Sequence, residues 1–212
     1  MKKMMIAVYL LVICLVSSNG LAADNKDEKK VTDLTPWKGY AVSIVNLYKG
    51  EDGEKFFDAV LKHAPKGYNK EMVKAFYTNM FSLKFNSIEF IDENTLTIDG
   101  KMTGDYAHVG TLKTKFKQYD VTWDIFKTDS KDLIAAGFKY FLLIPFHQHG
   151  EDGLRHSHFR YGNENFDFLA TDPSVQTWWP TIYQPDKTNV KKVMASMTKG
   201  AKLQATMLPK LK

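Results

Sequence analysis

The chain has 212 residues, 44% of them hydrophobic and 25% charged, which suits one ordinary globular domain with a sizeable core. The formal charge is +5 at pH 7, and +3 once Lys2 and Lys3 leave with the leader described next, too small an excess to point to nucleic acid. The lysines of the C-terminal third, Lys187 to Lys212, read as a solvated surface rather than a binding patch.

Residues 1–23 read as a cleaved signal peptide. Met1-Lys2-Lys3 is the positive start, Met4 to Val16 an apolar run of thirteen residues, and Gly20 and Ala22 the small residues that suit cleavage after Ala22 or Ala23. The run is shorter than the roughly 20 residues of a membrane span, so an exported chain without a membrane anchor is expected. Cys14 lies within that run, and Ile13 before it does not suit a lipid-attachment site. The mature chain then has no cysteine, and any metal site must use nitrogen and oxygen donors.

Residues 24–33 carry charges and almost no apolar side chain, and read as a flexible tether before a single domain over 34–212. Trp37 to Val45 fits a strand or a short helical turn. Asp58 to Ala64 and Asn69 to Phe81 read as helices, the second capped by Asn69 with Met72, Val73, Phe76, Tyr77 and Met80 on one stripe. From Lys84 the apolar period falls to two. Strands are expected in Phe85 to Asp92, Thr95 to Ile98, Gly100 to Asp105, His108 to Phe116, Gln118 to Phe126, Phe138 to Phe146 and His156 to Tyr161, with Asp-Gly and similar turns between them. This spacing predicts a mainly β fold, an antiparallel sheet closed into a barrel or folded as a sandwich, with a few added short helices. Phe166 to Leu169 is short and apolar. Gln176 to Pro185 reads as an extended aromatic cover, Asn189 to Met197 as a helix, and 199–212 as a frayed tail.

Four of the six histidines fall within twelve residues, at His147, His149, His156 and His158. Residues i and i+2 of a strand face the same side, so His156 and His158 point together and Arg160 continues their face. A turn through Gly150 and Gly153 brings His147 or His149 across from them; parity does not choose between these two. Three imidazoles with one open position suit zinc, and imidazole also accepts copper and nickel. His63 reads as a histidine at a helix C-terminus, and His108 as a strand histidine that is at most an occasional ligand. No Gly-x-Ser-x-Gly or His-Glu-x-x-His occurs. A zinc enzyme would need an acid–base group, for which the hairpin offers only the loop residues Glu151 and Asp152, so a non-enzyme is expected. The alternatives are a lipocalin-type carrier of a small ligand and, behind it, a three-histidine zinc enzyme.

Several segments resemble the ZinT (YodA) family of periplasmic zinc- and cadmium-binding proteins. These are Leu34-Thr35-Pro36-Trp37-Lys38-Gly39, Phe76-Tyr77 with Phe85 to Phe90 after it, His156 to Asn163 (HSHFRYGN), and Trp179 to Pro185 (WPTIYQP). The resemblance implies a calycin, lipocalin-like antiparallel β-barrel with its site near the mouth. It implies His147, His156 and His158 as the metal ligands, since the family places its first histidine nine residues before the His-x-His pair. His149 is then an additional candidate. Zinc is the implied ion, with cadmium and other divalent transition metals within reach of the donors. The implied role is periplasmic zinc acquisition under zinc limitation, with the binding protein of a zinc ABC importer as partner. The chain departs from the family in having no histidine in 24–33 and no cysteine pair.

Overall fold

The pattern after Lys84 folds into most of a nine-stranded sheet in a computed structural model that describes residues 31–116, 119–148 and 153–211. The signal peptide and most of the tether lie outside the described residues. The strands are β1 (Gly39–Ser43), β2 (Ser87–Phe90), β3 (Thr95–Ile98), β4 (Met102–Asp105), β5 (Ala107–Phe116), β6 (Tyr119–Lys127), β7 (Tyr140–Leu143), β8 (His156–Gly162) and β9 (Thr181–Tyr183). Their order is β4-β3-β2-β1-β9-β8-β7-β6-β5, and every neighbouring pair is antiparallel. The two edge strands, β4 and β5, are separated in the chain by Tyr106 alone, so the sheet must curl until its edges meet at that corner.

The inside of the curl is apolar and aromatic. Ala41, Ile88, Phe90, Leu96, Ile98, Phe126, Phe141, Leu143, Phe159, Tyr161 and Ile182 meet there. Trp37, before β1, reaches Phe126 of β6 across the curl with ring centroids 5.5 Å apart. A mainly β half-barrel with a few helices is therefore the architecture: the strand periods predict its antiparallel sheet, and the family resemblance implies its calycin-like form.

Among the described residues there are six α-helices: α1 (Gly50–Leu61), α2 (Lys70–Met80), α3 (Lys131–Ala135), α4 (Phe166–Thr171), α5 (Val190–Lys199) and α6 (Ala201–Ala205). The side chain of Asn69 caps α2 as expected, accepting from the Met72 amide at 2.8 Å, and Asn189 caps α5 in the same way. α1 begins eight residues earlier than its apolar pattern suggests. Glu51 and Asp52 in its first turn suit the helix dipole. Gly53 is required there, because a Cβ would lie 2.1 Å from the Tyr48 carbonyl oxygen. Phe56, Phe57 and Val60 of α1, Val73 and Tyr77 of α2, and Val193, Met194 and Met197 of α5 pack into a second core on the outer face of the sheet, with Trp123, Ile125 and Leu142.

Two expectations need correction. Gln176 to Pro185 is not a cover: its Thr181–Tyr183 is β9, a central strand between β1 and β8. Pro180 and Pro185 flank it and hold it to three residues, too few for a period to register. The expected frayed tail at 199–212 includes α6. Ala201, Gln204, Ala205 and Leu208 are buried at helical spacing, while the Tyr77 hydroxyl donates to the Gln204 carbonyl and that of Tyr68 to Pro209. The small alanines hide this stripe among lysines.

Candidate metal centre

β8 is buried along its whole length and lies between β7 and β9. Its side chains alternate. Ser157, Phe159 and Tyr161 face the inside of the curl, whereas His156, His158 and Arg160 face outward, toward the helices. The site therefore lies at the N-terminal end of β8 on the outer face of the sheet, not within the curl.

His147 reaches that face through a register shift. Leu143 pairs with Phe159, and His147 pairs with His156 through two backbone hydrogen bonds of 2.9 Å. Between these pairs lie residues 144–146 on one strand and only 157–158 on the other. That is one extra residue, a β-bulge. Pro145 sits in it, at a position where a missing amide hydrogen costs no ladder bond. In unbroken register Phe146 would oppose His156, and His147 would point inward. The bulge reverses this: Phe146 packs inside the curl, and His147 joins His156 and His158.

The three imidazoles form one cluster. Ring centroids are 4.2 Å apart for His147 and His156, 4.9 Å for His156 and His158, and 5.7 Å for His147 and His158. One nitrogen from each lies within 4.8 Å of the others. Ligand nitrogens around an ideal tetrahedral zinc are about 3.3 Å apart, so small ring rotations close the difference. His156 is 2% exposed and His158 8%, while His147 is half-buried and leaves the cluster an approach from solvent.

Each ring is oriented through Nδ1. That of His147 lies 3.1 Å from the Pro145 carbonyl oxygen and that of His156 2.8 Å from the Leu154 carbonyl oxygen. A carbonyl only accepts, so both Nδ1 atoms carry the hydrogen. The Nδ1 of His158 lies 2.8 Å from the Thr181 hydroxyl, which itself donates to the Trp179 carbonyl at 2.8 Å and therefore accepts from the imidazole. All three tautomers thus place the lone pair on Nε2, the arrangement metal-ligating histidines use. Burial lowers the pKa of His147; the Pro145 carbonyl works against this, and the Arg155 guanidinium adds to it. The neutral, ligating form is favoured.

Arg160 continues the face, 1% exposed, with Trp123 and Trp179 against its guanidinium. Burial lowers its pKa to about 10, so it remains charged at neutral pH. The other histidines stand apart. His63 is exposed just beyond α1. His108 packs edge-on to Phe126, with Nε2 3.6 Å from a carboxylate oxygen of Asp124. His149 and the acids Glu151 and Asp152 lie outside the described residues. Sequence reading missed Thr181 as the orienting partner of His158. Its signal was the Thr-x-Tyr of the aromatic segment, which pairs Thr181 directly with His158 once that segment is a strand.

The sequence matches no protein-family model and no curated protein sequence. Among solved structures, the chain is similar to the Zn(II)-bound ZinT-like domain of Streptococcus pneumoniae AdcA. The TM-score is 0.56 at 22% identity, covering 82% of this chain and 94% of that one. The chain has a ZinT-like fold. It is also similar to Zn(II)-bound AdcA from Streptococcus pneumoniae, with TM-score 0.56 and 19% identity over 78% of this chain. It covers 35% of that longer chain, so the ZinT-like fold corresponds to about a third of it. No helix among the described residues is long and apolar enough to cross a membrane.

Proposed function

We propose that this protein is an exported zinc-binding protein that captures the ion through His147, His156 and His158. The observation that carries the reading is the cluster itself: three imidazoles on one sheet face, each with Nδ1 held by an oxygen and Nε2 directed to ligation. The zinc in both similar structures supports the choice of ion. A donor set of three neutral nitrogens without thiolate also suits zinc, and it admits cadmium and other divalent transition metals as competitors.

The ion is cargo in this reading. The chain acquires zinc under zinc limitation in the periplasm and passes it to the binding protein of a zinc ABC importer. An open position and a half-buried third ligand support loading and unloading better than a closed structural site would. This reading gives the chain a binding role rather than an enzymatic one. A lipocalin-type carrier is disfavoured by the interior of the curl, where Phe85, Phe138, Phe141, Phe159 and Tyr161 pack against one another within 6.2 Å. Metal analysis of the protein taken from zinc-starved cells tests the reading. About one zinc per chain is expected; a different predominant metal, or none, would contradict it.

A further inference from the structure

Arg160 is a buried cation beside the proposed zinc site, and no carboxylate pairs with it among the described residues. Its Nη1 donates to the carbonyls of Leu169 and Ala170, at 2.8 and 3.2 Å, near the end of α4. Its guanidinium carbon lies 5.5 Å from the Trp123 ring centroid and 4.9 Å from that of Trp179. Its Nε is buried without a hydrogen-bond partner. The Trp179 ring is in turn 5.9 Å from the His158 ring, so a single indole connects the guanidinium to a proposed ligand. Along the strand, Arg160 and His158 are same-face neighbours, about 7 Å apart at the backbone.

These contacts hold Arg160 and solvate its charge in part, but they supply no full negative charge to neutralise it. Three neutral imidazoles leave the charge of a divalent ion intact. With Arg160 one indole away from His158, an ion held by the three histidines has a second positive charge in the same poorly solvated surroundings. A neutral donor at the ion's open position relieves nothing, whereas an anion is attracted to both. We propose that Arg160 is a positioning residue that makes the open position of the histidine centre a site for a small monoanion, bound together with the metal. The proposal rests on the zinc reading above.

Cobalt(II) in place of zinc makes the coordination visible, because its visible absorption reports ligand exchange. The full chain is loaded with cobalt and titrated with thiocyanate at constant ionic strength. A saturable change in the cobalt bands is expected for the parent and for Arg160→Lys, which keeps the charge. For Arg160→Gln, thiocyanate affinity should fall by about tenfold or more. Thermal melts run in parallel separate this from a role confined to packing α4 against the tryptophans, which would lower stability without changing anion affinity in the folded protein. The proposal is overturned if the parent's bands do not respond to thiocyanate, or if folded Arg160→Gln binds it as tightly as the parent. Should Arg160→Gln not fold, the parent and Arg160→Lys decide: a response in the parent that is lost in folded Arg160→Lys also overturns the proposal. Failure of the zinc reading itself would appear earlier, as cobalt binding that survives removal of the three histidines before any anion is added.

Discussion

Thr181 does for His158 what backbone carbonyls do for His147 and His156: it fixes which nitrogen bears the hydrogen. Replacing it with valine keeps the shape and removes the acceptor. Thr181→Val should weaken zinc binding by about 10- to 100-fold, read by competition with a chelating dye, while the fold persists. Protonation of the imidazoles competes with the metal. Burial lowers the His147 pKa, so the neutral ligand dominates at pH 7 and proton competition begins only toward acid. Zinc affinity should therefore be nearly flat between about pH 8 and 7, then fall as pH drops below about 6.5. An affinity unchanged down to about pH 5.5 would count against imidazole ligation. At this scale much was legible. The His-x-His period placed His156 and His158 together, and the family spacing selected His147. Thr181 was not legible as an orienting group, because its role depends on a cross-strand neighbour more than twenty residues away.

The bulge before His147 is the element on which the third imidazole depends. Alternation from β7 alone sends His147 inward and Phe146 outward, opposite to what the structure shows. The extra residue at 144–146 corrects the parity, and a deletion tests it. Removing Pro145 should leave a regular ladder in which Phe146 opposes Ser157 and His147 still opposes His156 on the outer face. Zinc affinity should then stay close to the parent's, measured by the same competition assay. A fall to the level of His147→Ala would show that parity alone does not place His147. A bulge is hard to see in sequence, since it differs from a regular strand by one residue and leaves the composition unchanged. The proline was its one visible mark. β9 escaped notice for a related reason, since three residues between two prolines are too short for any period. α6 escaped because its buried face is mostly alanine and glutamine.

The whole molecule separates its two cores. The aromatic inside of the curl stabilises the sheet, and the outer face, covered by helices, holds the histidines and Arg160. Strand count and alternation made the sheet readable from Lys84 onward. Strand order was not readable, because β1 and β9 come from opposite ends of the chain and meet only in the folded sheet. That meeting places Thr181 beside His158 and completes the site. A folded scaffold also makes metal binding a stability effect: zinc should raise the melting temperature, and the rise should disappear with the ligands.

The most direct test of the central claim is a calorimetric zinc titration of the metal-free protein beside its His147→Ala, His156→Ala, His158→Ala variant. The parent should bind about one equivalent tightly, and the variant, still folded by circular dichroism, should lose that binding. Equal affinity in the two proteins would contradict the account.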